Sequence, residues 1–124
     1  MDKDQQVKYL ANIYAVIAAD GDVDRLEDRV FEQISRGIKA GYFERKQAQE
    51  NAVAGGLPAE LDSRWSDQIR NLEDMFFAGL CDDSLESAEK KVIVAFARTL
   101  GISQKQLDRI RAESRQRYED FQAG

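Results

Sequence analysis

At 124 residues, with 43% hydrophobic and 33% charged side chains, the chain is long enough for one core that buries roughly two-thirds of the surface its unfolded form exposes, and neither a collagenous nor a disordered composition fits. A formal net charge of −5 argues against broad attraction to nucleic acid or anionic lipid, and toward cations or basic protein partners. The lack of any histidine, together with a single cysteine, excludes Ser-His-Asp and Cys-His catalysis, His-ligated zinc and structural zinc.

The opening stretch MDKDQQVKYL carries both charge signs without an apolar run, and no segment approaches the ~18 uninterrupted apolar residues of a spanning helix. The expectation is a cytoplasmic protein without direct membrane insertion. Val7, Leu10, Ile13, Tyr14 and Ile17, then Leu26, Val30, Ile34 and Ile38, recur at helical spacing and predict two amphipathic helices joined by an acidic stretch. Gly37 and Gly41 predict an end to the second near position 40, with a shorter, more polar helix over Glu44 to Val53. Gly55-Gly56-Leu57-Pro58 holds the only proline and reads as a connector.

A third stripe follows through Leu61, Trp65, Ile69, Leu72, Phe76 and Leu80, with Trp65 and Phe76 read as core. Cys81, just after it, reads as a small buried hydrophobe. Val92, Ile93, Phe96 and Leu100 form a fourth stripe, closed by Gly101 at the position helices favour for a left-handed residue. Ser103 and Gln106 read as a capping box opening a last helix with Leu107, Ile110, Ser114, Tyr118 and Phe121 inward. Arg109, Arg111, Arg115 and Arg117, beside Asp108, Glu113, Glu119 and Asp120, read as its solvated outer face. With β-type alternation essentially absent, the fold class is all-α: a compact single-domain helical bundle.

Shifting the chain by 62 positions lays Asp20 on Asp82, Glu27 on Glu89, Val30 on Val92 and Ile34 on Phe96. The bundle is thus expected to be two pseudo-repeated helix hairpins, about 4–54 and 59–122, each with an acidic elbow. Asp24 is a good N-cap, Glu27 completes a capping box, and Glu86 and Glu89 gain from the positive end of a helix, typically ~0.3–1 kcal/mol each when exposed. Capping leaves Asp20 and Asp82 unexplained, because both follow helix carboxyl ends, where the dipole disfavours negative charge. Two carboxylates ~4 Å apart repel by about 4 kcal/mol at an effective dielectric near 20, so an elbow that gathers acids needs a proton or a cation. Oxygen-only donors suit calcium or magnesium. Asp20, Asp22 and Asp24 match the first positions of an EF-hand loop, but Arg25 and Phe31 stand where that loop needs glycine and glutamate, so it is not an EF-hand.

The run A-A-D-G-D-V-D-R-L-E at 18–27, and E-K-K-V-I-V-A-F-A-R-T-L-G-I-S-Q-K-Q-L-D-R-I at 89–110, resemble the tellurite-resistance TerB-like domain family over roughly residues 7–118. The resemblance implies an all-helical domain with an internal two-fold pseudo-repeat and a divalent-cation site. It also implies a role in bacterial tellurite-resistance and stress-response systems, related domains standing beside other modules, including a co-chaperone's membrane-proximal region. It assigns the site to Asp20 and Glu27 in one half and Asp82 and Glu89 in the other, with Asp22, Asp24, Asp83 and Glu86 as outer ligands. Asp83 departs from the family pattern by replacing the glycine of the Asp-Gly step.

Two functions compete at this point. One is a non-enzymatic, cation-responsive module whose elbows set the helix geometry that a protein partner reads. The other is a structural protein-interaction domain without metal, its acids serving only as caps and its working surface on the last helix or at Tyr42-Phe43. An enzyme is not expected, for no Gly-rich phosphate loop and no nucleophile beside a base is present. Nor is a nucleic-acid partner, since the arginines of the last helix alternate with acids.

Overall fold

A computed structural model describes residues 1–19, 21, 23–55, 61–79 and 87–123. Among them the fold is all-α, with six helices and no strand: α1 (Lys3–Ile17), α2 (Arg25–Gly37), α3 (Tyr42–Gly55), α4 (Trp65–Gly79), α5 (Ser87–Leu100) and α6 (Gln104–Ala123). None of these helices is long and apolar enough to cross a membrane.

Local chemistry sets the helix ends. The Asp2 side chain accepts from the Gln5 backbone N–H at 2.8 Å to open α1, and Asp24 does the same from Glu27 at 2.8 Å for α2, each satisfying a donor that the first turn leaves over. At α6 the Gln106 N–H donates to Ser103 Oγ at 3.2 Å while the Ser103 N–H donates to Gln106 Oε1 at 3.1 Å, the reciprocal box expected from the sequence. Helices α2 and α5 end alike. Ala40 N–H reaches back to Ser35 O at 2.9 Å and Ile102 N–H to Ala97 O at 3.1 Å, across a left-handed residue in each case. That residue is Gly101 (φ 73°) after α5 but Lys39 (φ 61°) after α2.

Left-handed backbone strains a residue with a Cβ, and glycine relieves the strain at some entropic cost. Lys39→Gly is therefore expected to stabilise the protein by about 0.5–1 kcal/mol, and Gly101→Ala to destabilise it by about 1 kcal/mol, in urea unfolding. A Cβ at Gly101 meets no atom within 4 Å, so no side-chain clash enters the second effect.

Packing centres on α1 and α4, which lie against each other. Helix α1 also packs on α2, α3 and α5, and α4 on α2, α5 and α6. Tyr9, Leu10, Ile13, Val16 and Ile17 of α1 meet Leu72, Met75, Phe76, Phe77 and Ala78 of α4, with Phe31 and Ile34 of α2 and Ile93 and Phe96 of α5, in one core. The three helix starts of the first half, Lys3, Arg25 and Tyr42, stand 62 residues before Trp65, Ser87 and Gln104. Burial follows the same spacing at Leu10 and Leu72, Ile13 and Met75, Phe31 and Ile93, Ile34 and Phe96, and Ile38 and Leu100. Each half thus carries three helices, where the sequence reading grouped two around each elbow.

One expectation needs correction. Trp65 is 54% exposed, not core. It is the first residue of α4, and Leu61, in the non-helical segment before it, fills the core at that end. Phe76 is buried as expected. Arg117 is exposed, as expected of that face, and its guanidinium also pairs with Asp74 Oδ1 at 2.5 Å and lies 4.1 Å from the centroid of the Phe77 ring, a charge-assisted and cation–π anchor of α6 onto α4.

Candidate cation site at the helix elbows

Helix α1 stops at Ala18, whose N–H still donates to Tyr14 O at 2.9 Å, and the chain turns with Gly21 N–H donating to Ala18 O at 2.9 Å. Gly21 takes φ 85°, a value that glycine adopts without strain. Asp24 then caps α2, and Glu27, three residues on, returns a bond by accepting from the Asp24 N–H at 3.2 Å on Oε1. These two acids are brought together as a capping box.

Capping does not require burial, yet Glu27 is only 2% exposed. Glu89, third residue of α5 as Glu27 is of α2, is 0% exposed. Oε2 of Glu27 and Oε1 of Glu89 are both closed to solvent. A carboxylate so placed requires compensation within the protein, because removing an ionised group from water is costly.

The surroundings of the first elbow are electronegative. Tyr14 packs edge-on to Phe31, centroids 5.2 Å apart, and its phenol is pushed above the usual tyrosine range, by burial first and then by the charges of Asp28 and Glu27. The flanks of the two elbows share one cavity of about 630 Å³, which Ala18, Gly21 and Val23 enter from the first, Ala88 and Val92 from the second, and Val53 from α3. Lys91 also borders it.

Of the site residues read from the sequence, Asp20, Asp22, Asp82, Asp83 and Glu86 lie outside the described residues, as do Cys81 and the Gly56-Leu57-Pro58 connector. Among the described residues no group of three or more His, Cys, Asp or Glu side chains converges as a metal site. The described site residues are the exposed Asp24 and the buried Glu27 and Glu89, all oxygen donors of the kind a hard cation takes.

Sequence reasoning missed a second polar cluster, in the core between α1 and α4. The Tyr9 hydroxyl donates to Asp74, Asn12 Nδ2 donates to Asn71 Oδ1 at 2.8 Å, and Asn71 Nδ2 donates to Tyr9 O at 3.0 Å. All four side chains are buried. The available signal was the position of Asn12, Asn71 and Asp74 directly beside the apolar residues Ile13, Leu72 and Met75. The cluster pairs every partner internally and joins the central helices to α6 through Arg117, so its chemistry is structural. No protein-family profile, curated protein or solved structure matches the chain.

Proposed function

We propose that the chain is a non-enzymatic, divalent-cation-binding and protein-interaction module of the TerB-like, tellurite-resistance or stress-response kind, built as two copies of one three-helix unit. The observation that carries this reading is the burial of Glu27 and Glu89, 62 residues apart, each in the first turn of a helix that follows an acidic elbow. Glu27 and Glu89 would be inner ligands together with Asp20 and Asp82, seven residues earlier in each half, and Asp22, Asp24, Asp83 and Glu86 outer ones. A bound calcium or magnesium ion would neutralise carboxylates that the elbows bring within a few ångströms of one another. The chain's own part is to present oxygen donors from both halves, so that the angle between the halves becomes a property a protein partner can read. A cytoplasmic setting belongs to the same proposal.

The Asp24–Glu27 capping box favours a second reading, in which the acids are caps and the domain binds its partner without metal. Calorimetric titration with calcium, magnesium and manganese separates the two. A ligand of the native state at about a hundred times its Kd stabilises by about 2.7 kcal/mol, so millimolar ion is expected to raise Tm by several degrees. The combined change Glu27→Gln and Glu89→Gln is expected to remove that rise. No heat and an unmoved Tm in the unaltered protein would leave the capping reading in possession.

A further inference from the structure

We propose that the groove between the starts of α4 and α6 is a docking site for an acidic peptide segment carrying a bulky apolar side chain. The groove holds about 500 Å³ and is lined by Trp65, Ile69, Ile102, Ile110, Lys105 and Arg109. Ile110 is buried and Ile69 and Ile102 are partly so, giving an apolar floor, while Trp65, Lys105 and Arg109 are exposed on its rim. Lys105 and Arg109 stand one turn apart on α6, and among the described residues neither is in an ion pair.

The other half of the chain offers an internal comparison. At 62 residues' distance, Lys3 stands for Trp65, Ala48 for Ile110 and Phe43 for Lys105. There α3 lies against α1 with Ala48 fully buried, and Lys3 reaches across to Glu44 at 4.0 Å. Over the second half the larger Ile110 and Trp65 line open space instead, and two cations take the rim. Charge complementarity then defines the occupant. In a chain of net charge −5, a local pair of cations beside an apolar floor selects a carboxylate next to an aliphatic or aromatic side chain, the first held by the Arg109 fork and the Lys105 ammonium. Tryptophan and arginine are the residue types that dominate binding energy at interfaces, and the volume falls in the range of true ligand sites. An anionic membrane is disfavoured by the same overall charge.

Trp65 is the only tryptophan, so its emission reports this groove directly. The test selects random displayed peptides on the whole protein, then titrates the synthesised winners while following that emission. Winners are expected to pair Asp or Glu with a bulky apolar residue and to shift Trp65 emission to the blue. Lys105→Glu with Arg109→Glu, both at exposed positions, is expected to weaken their binding about tenfold or more with the far-UV circular dichroism unchanged. Phosphatidylserine–phosphatidylcholine vesicles are expected to leave the emission as it was. The proposal is overturned by the absence of enriched peptides, by winners that lack acids, by affinity indifferent to the two charge reversals, or by vesicles moving Trp65 when peptides do not.

Discussion

Phe77→Ala is expected to lower the unfolding free energy by about 4 kcal/mol, at the upper end for a buried phenylalanine because the ring serves three contacts at once. Its centroid lies 6.5 Å from that of Tyr118 and 5.6 Å from that of Phe121, both edge-on, and the Arg117 guanidinium covers its face at 4.1 Å. Truncation leaves a cavity on α4 and withdraws the surface on which α6 rests. Phe77→Leu, which keeps most of the volume, is expected to cost under about 1.5 kcal/mol. Urea unfolding followed by circular dichroism measures both, and near-equal losses would show that the ring contacts, which leucine cannot make, outweigh the volume it keeps.

Asp74→Ala comes next in size, at about 3 kcal/mol. The carboxylate accepts from the buried Tyr9 hydroxyl and from Arg117. Without it the hydroxyl of Tyr9 loses its acceptor in the core, a cost of about 1–3 kcal/mol, and a charge-assisted bond is lost besides. Arg117, half-exposed, can turn to water, which keeps the loss below that of a fully buried pair broken in two. Tyr9→Phe is expected to cost only about 1 kcal/mol, because Asp74 keeps Arg117. In an Asp74→Ala background the same change should cost less still, a coupling that a double-mutant cycle measures.

The pair also has a pH signature. Burial chiefly, then the charge and hydrogen bond of Asp74, push the Tyr9 phenol well above its ordinary range, whereas the unfolded chain ionises near pH 10. The folded state therefore holds this proton more tightly than the unfolded one. The stability tied to it is fully present below about pH 10 and is lost as pH rises beyond that value toward the folded-state pKa. Tyr9→Phe should flatten the alkaline decline, and an unchanged slope would argue against the buried phenol as its source.

The cation reading and the peptide groove sit at different places in the fold and answer to different readouts. Substituting Glu27 and Glu89 acts at the elbows, whose flanks meet at the Tyr14 cavity. Reversing Lys105 and Arg109 acts at the start of α6, beside Trp65 at the start of α4. A protein whose Tm responds to calcium and whose Trp65 responds to acidic peptides would be a module with two separable inputs.

Contacts made within a few residues were legible before any coordinates. The Asp24–Glu27 and Ser103–Gln106 boxes span three residues each, and the left-handed Gly101 needs only its own helix end, so backbone geometry alone dictates them. Helical periodicity likewise placed Leu10, Ile13, Phe76 and Ile93 inward, because a stripe of apolar residues has no favourable alternative to burial. Periodicity failed at Trp65, where the pattern was extended past the residue at which helical geometry begins. At Arg117 it placed the side chain on the exposed face, as found, but could not show the carboxylate that it meets on α4.

What the sequence determined by itself is the all-helical class, the caps, and the 62-residue correspondence that aligns Glu27 with Glu89. Only the tertiary structure decided that Asp74 and Asn71 are core residues, that Glu27 and Glu89 lose access to solvent, and that the flanks of two elbows share a cavity. The physical reason is range. Caps and periodicity arise from the backbone of a single turn, whereas the cost of burying a polar group depends on the partner it finds, and Tyr9 finds Asp74 from 65 residues away.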